Sequence, residues 1–134
     1  PVKQDLVENA GPIGGVYSGL TYSKNELNLI LTCDMPFISS ALMIKMLEGI
    51  NDDADLLYLA NSSYNFLLTA VYRKSVAPKL KQRISDSEFR MQDLSDVIAS
   101  QRIELSKEQE YELFNVNTPA DLLELERIKS KTTF

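Results

Sequence analysis

Short apolar runs that alternate with helix-like segments constrain the fold of this chain more than any other feature. Leu27 to Thr32 is such a run, bounded by polar residues, which is typical of a buried strand. Ala54 to Ala60 and Phe66 to Tyr72 predict two more strands on either side of a turn-rich segment. Ile103 to Leu105 and Glu112 to Val116 are shorter candidates. The chain therefore predicts a sheet of several short strands.

Helical segments lie between these strands. Besides a short helix after residues 11–15, capping residues, Pro119 at a first helical position and apolar spacing predict four helices: one that begins after Ser39 or Ser40 and closes near Ile50, Ala77 to Ile84, Met91 to Ala99, and Pro119 to about Lys129. Because parallel neighbours need crossover helices, this alternation predicts an α/β fold with a mostly parallel sheet. In such sheets ligands bind outside the carboxyl ends of the strands.

Composition excludes several classes of function. The 134 residues, 44% hydrophobic and 25% charged, fit one globular domain over residues 1–134. The formal net charge of −5, without a Lys/Arg block, argues against nucleic acid and anionic membranes as partners. A single Cys33 suits a reducing compartment, and the absence of His removes the usual zinc ligand and Ser-His triads. Since a signal-peptide pattern is also absent, we expect a cytoplasmic protein.

Asp34 is the first candidate for chemistry. It lies just past the strand Leu27 to Thr32, and Pro36 cannot continue a strand ladder, so we expect the carboxylate to face the ligand crevice. A carboxylate there suits Mg²⁺, which takes one or two protein oxygens and fills its other positions with water and substrate phosphates. The alternative is an Asp that stabilises its own turn through backbone N–H groups.

A glycine-rich segment is the second candidate. Gly11, Pro12, Gly14 and Gly15 predict a tight loop that feeds a short helix, and its N–H groups could approach an anion or an aromatic base. An ordinary strand-to-helix turn is the alternative. Asp5, upstream of this loop, could accept hydrogen bonds from a ribose or simply solvate a loop.

Three further polar residues could contact a ligand. Asn115 and Asn117 flank Val116, so both side chains point the same way in an extended segment and offer paired amide groups. They could equally satisfy backbone groups near a helix start. Arg90 lies in a polar stretch and could contact a phosphate or remain a solvated surface residue.

These features, taken in order, resemble the MobA family of molybdenum cofactor guanylyltransferases. The resemblance is carried by Asp5, Gly11-Pro12-Ile13-Gly14-Gly15, the segment Leu29 to Ile38 with Cys33-Asp34-Met35-Pro36-Phe37, Tyr72-Arg73, and the segment Phe114 to Leu122 with Asn115-Val116-Asn117-Thr118-Pro119. It implies a three-layer, Rossmann-like nucleotidyltransferase fold of the nucleotide-diphospho-sugar transferase type. It also implies Mg²⁺-dependent transfer of GMP from GTP to molybdopterin, with release of pyrophosphate.

The resemblance also assigns roles to residues. It implies that Asp34 is the catalytic residue and holds Mg²⁺ and GTP. Asp5 and the loop of Gly11, Pro12, Gly14 and Gly15 would bind the nucleotide. It further implies that Arg90, Asn115 and Asn117 lie on the pterin side.

One departure from the family pattern is large. The family's glycine-rich signature with its catalytic Lys has no counterpart here, so we expect an N-terminally incomplete domain that is inactive alone and prone to self-association. Two alternatives remain open. One is a nucleotidyltransferase of the same fold that uses CTP or a sugar phosphate. The other is a non-catalytic, receiver-like α/β module phosphorylated on Asp34.

Overall fold

The computed structural model describes residue 6, residues 9–32 and residues 38–110. Within this part of the chain, five α-helices, four strands and two 3₁₀ turns (Lys74–Val76 and Met91–Asp93) follow one another. The helices are α1 (Gly11–Tyr22), α2 (Ser40–Gly49), α3 (Ala77–Ser85), α4 (Leu94–Val97) and α5 (Lys107–Glu110). The strands are β1 (Leu27–Ile30), β2 (Leu56–Ala60), β3 (Asn65–Arg73) and β4 (Ser100–Glu104). The elements predicted from residues 112–116 and 119–129 lie outside the described residues.

The strands form one sheet in the order β1-β3-β2-β4. β2 and β4 pair in parallel, whereas β3 is antiparallel to both β1 and β2. β1, β2 and β4 therefore run in one direction, as expected for this fold class, and β3 alone is reversed. The expectation of mostly parallel pairing is wrong for the two pairings of β3. The reason is local, because the four residues between β2 and β3 are too few for a crossover and can join only antiparallel strands.

Both faces of the sheet are covered, which gives three layers. All five residues of β2 are buried, and they alternate between two apolar clusters. Leu56, Tyr58 and Ala60 pack in the cluster that includes residues of α1 and α3. Leu57 and Leu59 pack on the opposite face with residues of α2. A strand buried on both faces reads as a continuous apolar run, which is why the sequence pattern located it.

The cap predicted for α2 is confirmed. The Ser39 side chain accepts a hydrogen bond from the backbone N–H of Leu42 at 3.1 Å, which satisfies one of the free donors of the first turn.

A lysine holds the C-terminal end of α1. Lys74 Nζ donates to the carbonyls of Leu20 and Ser23, each at 2.7 Å, at the end of α1.

Two sequence-based boundaries need correction. Residues 11–15 were expected to form a loop, but α1 begins at Gly11 itself, with Pro12 in its first turn, where a missing N–H costs nothing. The helix predicted for residues 91–99 is a 3₁₀ turn, Met91–Asp93, followed by the single turn of α4. Ile98 is already extended, because the chain there turns into β4.

No helix among the residues described above is both long enough and apolar enough to cross a membrane.

Candidate functional site

The carboxyl edge of the sheet carries a cavity of about 280 Å³. β1, β2 and β4 end at this edge, and β3 begins there, because β3 runs in the opposite direction. The cavity is lined by residues from α1, the end of β1, the start of β3 and the 3₁₀ turn before α4: Pro12, Thr32, Asn65, Phe66, Leu67, Leu68, Thr69, Met91 and Gln92. Its position agrees with the rule that ligands of α/β sheets bind at the carboxyl ends of the strands.

A bulge in β3 shapes one side of this cavity. Tyr58 pairs with Ala70, and the next residue of β2, Leu59, pairs with Phe66, so residues 67–69 are extra on β3. Such bulges bend a strand and often occur beside functional sites. The hydroxyl of Tyr72 donates to the carbonyl of Leu67 at 2.7 Å. Burial raises the pKa of the Tyr72 phenol well above its ordinary value, so it is a donor at neutral pH.

A second hollow of about 390 Å³ adjoins the first. It lies between α1 and β1 and is lined by Pro12, Gly15, Val16, Leu29, Ile30, Leu31 and Leu68. Pro12 and Leu68 line both spaces, so the first turn of α1 and the β3 bulge stand between two adjacent hollows.

The first turn of α1 carries the glycine-rich segment. Gly11 has a φ of +64°, a conformation that favours glycine. Among the described residues no side chain caps this turn, and the positive end of its helix dipole favours an acceptor nearby. The segment behind it is fixed by Ser18, whose hydroxyl donates to the carbonyl of Gly14 at 2.8 Å and accepts from the N–H of Leu6 at 2.7 Å.

The lining of the 280 Å³ cavity is uncharged and contains a few polar groups. Gln92 Nε2 donates to the backbone carbonyl of Asn65 at 3.3 Å, which ties the 3₁₀ turn to the start of β3. Thr32 Oγ1 is buried and has no hydrogen-bond partner among the described residues. An apolar cavity with a few amide and hydroxyl groups suits a flat, neutral ring better than a bare phosphate.

Arg90 lies next to this cavity without lining it. The arginine directly precedes Met91 and Gln92, and its side chain is 75% exposed. Arg90 Nε stands 3.8 Å from Asp93 Oδ1, and the same carboxylate lies 3.7 Å from Arg83 Nη2. An exposed pair of this kind contributes little to stability, and most of the Arg90 side chain is in solvent.

The structure brings together part of the predicted site. Pro12 and Gly15 line the two hollows, and Gly11 and Gly14 lie in the same helical turn. Four predicted site residues lie outside the described residues: Asp5, Asp34, Asn115 and Asn117. Within the described part of the chain, no three or more His, Cys, Asp or Glu side chains are grouped to hold a metal ion.

Sequence reasoning missed several lining residues. Thr32 lies two positions before Asp34, and this closeness in sequence is the feature from which it could be predicted as a site residue. Asn65 ends the turn-rich segment, whose composition predicts only a connection between two strands. Nothing in the sequence indicates that residues 67–69 line the cavity, because a bulge depends on the register with the neighbouring strand.

Known proteins resemble this chain over most of its length. A Flavobacterium johnsoniae protein named "Probable molybdenum cofactor guanylyltransferase" is 33% identical over 121 residues, which cover 90% of this chain and 64% of that protein. Among solved structures, a protein from Aquifex aeolicus superposes with a TM-score of 0.79 at 26% identity, covering 88% of this chain and 62% of its own. Molybdopterin-guanine dinucleotide biosynthesis protein A from Archaeoglobus fulgidus gives a TM-score of 0.75 at 25% identity, covering 91% of this chain and 64% of its own.

This chain thus spans less than two thirds of the length of each of these three proteins. The solved structures confirm the fold class expected from the sequence. The model of the MobA-like NTP transferase domain matches residues 1–104, so the chain belongs to the MobA-like NTP transferase domain family.

Proposed function

We propose that this chain is part of a molybdenum cofactor guanylyltransferase, which transfers GMP from GTP to the terminal phosphate of molybdopterin in its cofactor form. The observation that carries the proposal is the pair of adjoining spaces at the carboxyl edge, which share Pro12 and Leu68. A transferase that joins two large substrates needs two such neighbouring sites. The names of the related proteins support the same reaction.

The two spaces suggest which substrate binds where. The hollow beside Gly15 takes the guanosine side of GTP, because the uncapped first turn of α1 offers N–H donors to an acceptor. The uncharged cavity beside Gln92 takes the pterin ring, and Arg90 at its margin pairs with the acceptor phosphate. The family resemblance assigns Asn115 and Asn117 to the pterin side and Asp5 to the nucleotide side.

Mg²⁺ fits the residues at the end of β1. Asp34 follows Ile30 by four positions, and the buried hydroxyl oxygen of Thr32 has no hydrogen-bond partner among the described residues. Mg²⁺ binds carboxylate and other hard oxygens, so Asp34 would hold it and Thr32 offers an oxygen nearby in the chain. The bound ion would neutralise negative charge on the α-phosphate.

The chemistry required of the protein is mainly positioning. An oxygen of the acceptor phosphate forms a bond to the α-phosphorus of GTP, while the bond from that phosphorus to the bridging oxygen breaks and pyrophosphate leaves. The acceptor phosphate is already ionised, so no general base is needed, and the absence of His from this chain is compatible with the reaction.

Asp34→Asn tests this proposal. We expect GMP transfer to fall by about 100-fold or more, because the variant loses the charge that holds the metal ion. Transfer is measured with GTP and molybdopterin, with and without Mg²⁺, in this chain and in the chain joined to the family's glycine-rich segment. We expect turnover only in the joined form. Asp86→Asn, which alters an exposed carboxylate after α3, is the matched control. Wild-type turnover in Asp34→Asn would rule out the assigned role.

Competition between nucleotides distinguishes this reaction from those of other nucleotidyltransferases with the same fold. We expect unlabelled GTP to displace a labelled guanine nucleotide, and CTP to displace it at least tenfold less well. Preference for CTP would assign the chain to a different nucleotidyltransferase.

A further inference from the structure

Four polar side chains line the 280 Å³ cavity: Thr32, Asn65, Thr69 and Gln92. Thr69 already has an interaction of its own. The other three keep unused hydrogen-bonding groups within the described part of the chain. The buried hydroxyl of Thr32 has no partner, the Gln92 side chain bonds only through Nε2, and Asn65 bonds only through its backbone. Because polar groups in proteins are normally satisfied, these groups are suited to a ligand.

Asn65 is held in place on two sides. It pairs with Ala60 on β2, and its backbone carbonyl accepts a hydrogen bond from Gln92 Nε2 at 3.3 Å. The turn before it is fixed by Asn61, whose Oδ1 accepts from the N–H of Tyr64 at 2.8 Å and whose N–H donates to the carbonyl of Tyr64 at 2.9 Å. The backbone of Asn65 is thus preorganised at the cavity, which lowers the cost of binding a ligand with its side chain.

The chemistry of a carboxamide defines its best partner. The Asn65 side chain offers one C=O acceptor and one NH₂ donor next to each other. The complementary ligand edge carries an N–H beside a C=O, as in the 2-amino-4-oxo ring of a pterin. Since the lining residues carry no charge, a neutral edge of this kind fits the cavity better than an anion.

We infer that Asn65 is a specificity-determining residue for the ring bound in this cavity. Its Oδ1 accepts from the ring N–H, and its Nδ2 donates to the neighbouring ring carbonyl. Gln92, which is bonded to the backbone of Asn65, keeps Oε1 for a further donor such as the 2-amino group. Guanine carries the same edge as a pterin, and the choice of the pterin for this cavity rests on the proposed function.

The first test compares Asn65→Leu with Asn51→Leu in the 134-residue chain. Asn51 is exposed before β2, at the opposite edge of the sheet, and its described hydrogen bonds are made by its backbone, so its variant is the matched control. Binding of 6-hydroxymethylpterin is followed by its fluorescence, and binding of GMP by calorimetry. We expect Asn65→Leu to weaken pterin binding about tenfold and to leave GMP binding within about twofold of wild type. We expect Asn51→Leu to change neither.

The second test uses Asn65→Asp, which keeps the acceptor and replaces the donor by a second acceptor. Its probes are 6-hydroxymethylpterin and 6-hydroxymethyllumazine, which differ only in the amino or oxo group at position 2. Both present N–H beside the 4-oxo group, so we expect wild type to bind them within about threefold of each other. A carboxylate needs two neighbouring donors, which only the pterin offers, so we expect Asn65→Asp to shift the preference toward the pterin by about tenfold. A merely structural role would change both affinities together.

The outcomes separate this inference from the proposed function. Pterin affinity unchanged in Asn65→Leu would overturn the role of Asn65 and leave the proposed function standing. If wild type binds no pterin and Asn65→Leu weakens GMP binding instead, the cavity takes guanine, so the pterin placement fails and the role of Asn65 stands. Binding of neither ring to wild type, or equal losses of pterin and lumazine in Asn65→Asp, would overturn the inference.

Discussion

Arg73 is a single side chain, away from the candidate site, that stabilises the fold by joining two separate loops. Its guanidinium donates to the carbonyls of Asn51 and Ala54 and forms an ion pair with Glu26, Nη1 to Oε1, at 2.7 Å. The side chain of Arg73 is 15% exposed, whereas that of Glu26 is 73% exposed. Arg73 thus joins the loop after α2 to the start of β1, mainly through bonds to backbone carbonyls.

Replacing Arg73 separates these two interactions. We expect Arg73→Met to lower the free energy of unfolding by about 2–3 kcal/mol, because the partly buried carbonyl of Ala54 loses its donor. We expect Glu26→Gln to lower it by only about 0–1 kcal/mol, since exposed ion pairs contribute little. Urea denaturation of both variants measures the difference. Equal losses would mean that the ion pair is the main interaction.

Tyr72 also makes the stability of the fold decrease at alkaline pH. Burial raises its pKa in the folded state above the ordinary value of about 10, so the folded state keeps the proton after the unfolded state has lost it. The stabilisation is complete below about pH 10 and decreases as the pH rises further. We expect urea midpoints measured from pH 8 to pH 11 to fall more steeply in wild type than in Tyr72→Phe. Identical slopes would contradict this assignment.

At the scale of elements, α1 is the part of the structure that the sequence described least well. Glycines usually mark loops, and the spacing at residues 11–15 is typical of one. The helix begins there nevertheless, because Ile13, Val16 and Leu20 are buried against the sheet and this packing outweighs glycine's low helix propensity. The start of α2, in contrast, could be predicted from the sequence, because the Ser39 cap depends only on residues next to it in the chain.

Two glycines of α1 should respond to alanine in opposite directions. Gly11 has a φ of +64°, which an L-residue adopts only with strain, and we expect Gly11→Ala to lower the free energy of unfolding by about 1–2 kcal/mol. Gly19 lies inside the helix, and a Cβ added there meets no described atom within 4 Å. We expect Gly19→Ala to raise the free energy of unfolding by about 1 kcal/mol. Thermal denaturation of the pair measures both signs, and a stabilised Gly11→Ala would contradict the assigned conformation.

At the scale of the whole molecule, one sheet joins two apolar clusters. Neighbouring residues of β2 face opposite sides, Leu56 toward α1 and α3 and Leu57 toward α2. Both clusters therefore depend on the same strand, which supports the prediction that the chain unfolds as one domain.

Leu56→Ala and Leu57→Ala test this cooperativity. Each removes a fully buried side chain, so we expect each to lower the free energy of unfolding by about 2–5 kcal/mol. Circular dichroism and tyrosine fluorescence should give coincident urea transitions in wild type and in both variants. Ile44→Ala, on the exposed face of α2, is the control and should change stability by less than about 0.5 kcal/mol. Separate transitions in either leucine variant would contradict a single domain.

The sequence by itself determined the positions of the main strands, the cap of α2 and the family resemblance, because alternation, turn residues and capping act between residues close together in the chain. Only the tertiary structure decided that β3 is reversed between β1 and β2, that α1 begins at Gly11, and that Thr32, residues 67–69 and Gln92 surround one cavity. These features depend on register and packing between segments far apart in sequence, where local preference carries no information.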